Sequence, residues 1–67
     1  MNNGLFISID NNELIIKGSK SNLLELSKYI VDIANSKLDN DHLHLDELTI
    51  IDDESKINSL IIEKVGE

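Results

Sequence analysis

Residues 5–17, LFISIDNNELIIK, constrain the fold of this chain more than any other stretch. Two runs of alternating apolar residues rich in isoleucine flank Asn11 and Asn12, and asparagine accepts the positive φ values that a two-residue type I′ turn demands. Closing that turn sets Asp10 opposite Glu13, so Ile9 faces Leu14 and Ile7 faces Ile16. Leu5, Ile7, Ile9, Leu14 and Ile16 then share one face, and turn length and apolar phase agree on a single register. The other face carries Phe6, Ser8, Ile15 and Lys17. Its Phe6 and Ile15 need a partner or must tolerate water.

Cover for the first face is expected from the next segment. Gly18 ends the hairpin and Ser19 is the preferred N-cap of a helix, with Ser21 and Asn22 competing for the role. Leu23, Leu26, Ile30, Ile33 and Ala34 recur at three- and four-residue spacing, flanked by Leu24, Tyr29 and Leu38, and this stripe is expected to lie on the hairpin with Ile30 in the core. Lys28 and Asp32 fall on its solvated side, and Tyr29 is expected at the boundary. After a loop over residues 35–40, HLHLD returns to period two. ELTIID reads as a strand, and INSLIIEKV, residues 57–65, as a strong last one. Leu43 and Leu45 are out of phase with Leu48 and Ile50, so a bulge or break is expected near Asp46 and Glu47. A turn should follow around residues 52–56. The fold class is α+β in the order β-β-α-β-β, a four-stranded, largely antiparallel sheet with one helix packed on one face.

A chain of 67 residues forms one small domain, residues 1–67, and buries only ~60% of the surface that it exposes when unfolded. It has no cysteine, which removes disulfides and thiolate zinc sites and fits a reducing compartment. Small domains without such staples lean on oligomerisation or a partner. The N-terminal residues lack a positive n-region and a long apolar core, and no apolar run approaches the ~20 residues of a membrane span, so a soluble, cytoplasmic chain is expected. Thirteen acids face six lysines, giving a formal charge of −7. The imbalance is local. Residues 38–55 hold Asp39, Asp41, Asp46, Glu47, Asp52, Asp53 and Glu54 and no lysine. That charge argues against nucleic acid or an anionic membrane as partner, and for a basic protein surface or a cation.

Both histidines fall in DHLHLDE, residues 41–47. On a strand, His42 and His44 project from one face ~7 Å apart, and Glu63 is the best placed third ligand should they hold zinc. With no further histidine and no cysteine, the pair reads as part of a contact strand, and no metal or cofactor is expected. No Gly-rich phosphate loop or nucleophile triad is present, and the serines fit caps and turns, so the chain is not expected to be an enzyme.

The glycine closing the hairpin, the helix pattern from Ser19 to Ile30, His42 to Leu45 read as H-x-H-L, and the terminal LIIEKV from Leu60 to Val65 together resemble the small bacterial immunity proteins catalogued as immunity protein 32. Lys20 stands where a proline often opens the helix in that family. The resemblance implies a cognate polymorphic toxin inhibited by direct binding, and it brings no catalytic residues with it. The contact surface would use Phe6, Ile15, His42, His44 and Glu63 on the sheet, or the acids Asp46, Glu47, Asp52, Asp53 and Glu54, and a homo-oligomer is a further expectation. The alternative is a small oligomeric phage-type protein of the anti-defence kind, sequestering a nucleotide-derived or other small-molecule immune signal.

Overall fold

The computed structural model describes residues 4–38 and 40–66; Asp39 of the acid-rich segment lies outside them. The chain is α+β in the expected order: β1 (Phe6–Asp10), β2 (Glu13–Lys17), α1 (Lys20–Ala34), β3 (His42–Asp46) and β4 (Ser59–Glu63).

The first hairpin has the expected register, with Ile7 opposite Ile16, Ile9 opposite Leu14 and Asp10 opposite Glu13. Asn11 and Asn12 take φ values of 52° and 67°, the left-handed pair that a type I′ turn requires. Ser19 caps α1 by accepting the Asn22 N–H at 3.1 Å.

The four strands do not form one sheet. They make two antiparallel hairpins, β1–β2 and β3–β4, linked through residues 50–57, which run beside the free edge of β1. The Leu5 N–H donates to the Ile50 carbonyl at 2.7 Å and the Asp52 N–H to the Leu5 carbonyl at 2.8 Å, a single parallel bridge between Leu5 and Ile51. Two residues on, the side chain of Ser55 takes the place of a backbone partner for Ile7. The Ile57 N–H still reaches the Ile7 carbonyl at 3.0 Å, and the chain then turns away to pair with β3. ELTIID is therefore not a strand. The phase break does fall after Asp46, where residues 47–50 form a turn.

The core comprises Leu5, Ile7, Leu26, Leu45, Ile50 and Ile51, with Ile16, Tyr29, Leu43, Ile57, Leu60 and Ile62 packed around it. The helix lies against β3 and β4, not along the first hairpin. Ile9 and Leu14, expected beneath it, are exposed. The inward stripe of α1 is Leu26, Tyr29 and Ile33, while Leu23 and Ile30 sit on an exposed flank. The reason is geometric. A 15-residue helix is ~22 Å long, enough for one hairpin, and the one it meets is the second, whose inward face carries Leu43, Leu45, Leu60 and Ile62.

Two glycines allow the close approaches. A Cβ on Gly4 would run into the Ile50 carbonyl oxygen and stand 2.8 Å from the Asp52 nitrogen, and one on Gly18 would stand 2.5 Å from Leu5 Cδ2. Among the described residues, no helix is long and apolar enough to cross a membrane.

Candidate contact surface

The phase of the second hairpin follows from one bond, Lys64 N–H to the Asp41 carbonyl at 2.8 Å. It makes Asp41 and Lys64 a hydrogen-bonded pair, so His42 with Glu63 and His44 with Ile61 fall in the non-hydrogen-bonded positions, where side chains stand closest. Leu43 and Leu45 turn to the core. His42, His44, Ile61 and Glu63 are exposed on the opposite face. His44 Nε2 lies 2.7 Å from Ser59 Oγ, which fixes the imidazole across the hairpin. Among the described residues, no three histidine, aspartate or glutamate side chains are grouped to hold a metal ion.

Beyond β3 the chain enters a turn held by its own side chains. Thr49 Oγ1 accepts the Asp46 N–H at 2.8 Å and donates to the Asp46 carbonyl at 2.9 Å. That carbonyl also accepts the N–H groups of Thr49 at 3.1 Å and Ile51 at 3.0 Å, and Asp46 Oδ1 accepts the Leu48 N–H at 2.9 Å. Short polar side chains bonding back to their own backbone are what make Asp and Thr turn formers. The result is a stiff knob whose tip, Leu48, is 92% exposed. His44, Asp46, Glu47, Leu48, Asn58 and Ser59 line a shallow depression beside it.

The expected contact residues separate into groups. His44, Asp46 and Glu47 come together at the Leu48 turn, and His42 and Glu63 are opposite one another further along the hairpin. Phe6 is exposed and Ile15 half-buried on the outer face of the first hairpin. Glu54 joins Phe6, Ser8, Lys17 and Lys56 around a separate depression. Asp53 is exposed. Asp52 is a correction: it is fully buried and cannot touch a partner. Its Oδ1 accepts the Glu54 N–H at 2.9 Å and its carbonyl the Ser55 N–H at 3.0 Å, so it shapes the turn that brings Ser55 to β1. Its Oδ2 is buried and has no hydrogen-bond partner among the described residues.

On the other side of the second hairpin, Ser36 donates to Asp41 Oδ2 at 2.6 Å. This bond, with smaller help from the His42 N–H and the nearby His42 and Lys64, holds the Asp41 carboxyl below its ordinary value against the opposing effect of burial.

Sequence reasoning did not single out Leu48 or Thr49. The signal was available: Asp46 and Thr49 stand three apart across a change of apolar phase, the spacing of a side-chain-closed turn. In comparisons with known proteins, no family model matches the chain, and neither a curated protein nor a solved structure does.

Proposed function

We propose that this chain is a cytoplasmic binding protein of the immunity type, which neutralises a toxin by direct contact and performs no chemistry of its own. The observation that carries the reading is the turn over residues 46–51. A leucine 92% exposed is held on a turn closed by hydrogen bonds and flanked by Asp46 and Glu47. An apolar anchor of fixed geometry loses little entropy on docking, and the surrounding acids draw a basic surface toward it and fix its orientation. His44, pinned to Ser59, forms the rim. The resemblance to immunity proteins supplies the class of partner, a toxin domain with a basic surface.

The test is survival of cells that co-express this chain with the toxin domain encoded beside it. Leu48→Asp and Glu47→Lys variants, each confirmed folded by circular dichroism, are expected to lose protection, and purified complexes to weaken tenfold or more. Full protection by both variants would remove the turn from the contact. No protection by the parent chain would end the immunity reading.

One observation favours the second reading, sequestration of a small anionic signal. Phe6, Lys17 and Lys56 line one depression together with Ser8, a ring and two ammonium groups that suit a nucleotide. Glu54 in the same depression and the charge of −7 oppose it. Calorimetry with a nucleoside monophosphate decides: saturable binding that Lys17→Gln and Lys56→Gln abolish would favour this second reading.

A further inference from the structure

The outer edge of β2 is left open by the fold. A two-residue turn makes its flanking residues, Asp10 and Glu13, a hydrogen-bonded pair. By alternation Ser8 with Ile15 and Phe6 with Lys17 are hydrogen-bonded too, whereas Ile7 with Ile16 and Ile9 with Leu14 are not. The backbone groups of Ile7, Ile9, Leu14 and Ile16 therefore point away from the hairpin. On β1 those of Ile7 are used, by Ser55 and Ile57. On β2, among the described residues, β1 is the one neighbouring strand, and the outward N–H and carbonyl of Leu14 and Ile16 have no hydrogen-bond partner.

We propose that β2 pairs antiparallel with β2 of a second copy about a two-fold axis at Ile15, which joins the two first hairpins into a four-stranded sheet. The proposal does not rest on the toxin reading.

Charge selects the occupant of the edge. Asp10 stands directly opposite Glu13, a like-charge pair that is unfavourable in the single chain. The other end of the strand carries Lys17. A complementary strand must bring a base beside Glu13 and, four residues away along the ladder, an acid beside Lys17. Turned end for end, β2 has that pattern itself: Glu13 meets Lys17 of the second copy at both ends of the contact. The row across the sheet then runs Asp10, Glu13, Lys17, and the cation offsets the two carboxylates. Shifting the register by two residues removes both ion pairs, and parallel pairing in register sets Glu13 against Glu13 and Lys17 against Lys17. Edge strands are kept apart by repeated charge of one sign. Here opposite signs at the two ends draw a copy in.

The same register satisfies the backbone. It places Leu14 opposite Ile16 of the second copy, each pair exchanging both of its N–H to carbonyl bonds. The exposed Leu14 side chain gains Ile16 as a neighbour on one face, and Ile15 meets Ile15 on the other. The remaining strands do not match this. β1 has residues 50–57 along its edge, β3 is closed at Asp46 by Thr49, and β4, SLIIE, carries an acid but no base.

Sedimentation equilibrium on the full chain is expected to give twice the 7.5 kDa mass of one chain. Glu13→Lys and Lys17→Glu, at exposed positions and confirmed folded by circular dichroism, each turn both ion pairs into like-charge contacts and should weaken association roughly tenfold or more. Mixing the two variants should restore it, and so should placing both substitutions in one chain. The chain lacks cysteine, so Ile15→Cys introduces a unique thiol into an otherwise unaltered edge. Its Cα would stand ~4.5 Å from its symmetry mate, within the span of a disulfide. Mild oxidation should link it into a covalent dimer, while Ile9→Cys, exposed on β1 and away from the axis, should link far more slowly. A parent that is monomeric up to millimolar concentration overturns the proposal. So does a dimer that neither single charge variant weakens, a mixture of the two that stays monomeric, or an Ile9→Cys chain that links as fast as Ile15→Cys.

Discussion

The hydroxyl of Ser55 and the backbone of Ile7 are joined across 48 residues: Ser55 Oγ accepts the Ile7 N–H at 2.7 Å and lies 3.0 Å from the Ile7 carbonyl. Its single proton is shared with the Ile57 carbonyl at 2.8 Å. Both residues are buried, so no water stands ready to replace the side chain.

Ser55→Ala therefore strands a buried N–H and is expected to cost about 1–3 kcal/mol. Ser55→Thr keeps the hydroxyl and should fall between the two. Urea unfolding of the three proteins measures this. A Ser55→Ala variant as stable as the parent would show that the hydroxyl does not hold the edge of β1.

Gly4→Ala places a methyl group against the backbone of Ile50 and Asp52, neither of which is a flexible side-chain end. The chain must open the Leu5–Ile51 bridge to admit it, at a cost near the top of the ~1–3 kcal/mol range for overpacking. Gly18→Ala meets a leucine methyl group instead, and should cost less. Thermal unfolding of the two variants side by side gives the order.

Leu26→Ala removes the buried side chain of α1 and is expected to cost ~2–5 kcal/mol, the range for a core leucine. Ile9→Ala acts at an exposed position and should cost under ~1 kcal/mol. Had the helix covered the first hairpin, both would be severe. Equal losses in chemical denaturation would return the helix to that face.

The lowered Asp41 carboxyl makes a pH prediction. Its folded-state value lies below the ordinary 3.8, so its contribution to stability is complete above that value and is lost as pH falls through the folded one. Ser36→Ala removes the largest cause, the hydroxyl bond, and should move the Asp41 midpoint upward in a carboxyl-detected NMR titration. A midpoint unchanged by Ser36→Ala would assign the shift to His42 and Lys64.

Local structure was legible in the sequence wherever a residue's own backbone preference decides it. Asn11 and Asn12 fix the first hairpin, Ser19 begins the helix, and the alternation of HLHLD gives β3. What escaped is the assembly of those pieces. ELTIID has a strand's composition, but the Asp46 and Thr49 side chains satisfy the backbone locally and close a turn. The join between hairpins depends on one serine standing in for a strand, which leaves no period in the sequence. The helix stripe was displaced by one flank, because Leu23, Leu24, Ile30 and Val31 are as apolar as Leu26 and Ile33, and only packing decides which of them are covered. Of the candidate contact surface, the exposed histidines and acids were legible by composition. Asp52 was not, because adjacent carboxylates look alike until burial separates Asp52 from Asp53.

The parallel bridge between Leu5 and Ile51, and the bonds from Ile7 to Ser55 and Ile57, have a consequence for synthesis. The first hairpin is local and can close within microseconds of emerging from the ribosome. Its Leu5 and Ile7, however, are desolvated by residues 50–57, which are made long after them. Closing a loop that spans most of the chain precedes any reward from those contacts, which slows folding relative to a helical chain of the same length. During translation β1 thus waits with one edge unpaired until residue 57 has cleared the exit tunnel, and the second hairpin closes only once Lys64 has followed.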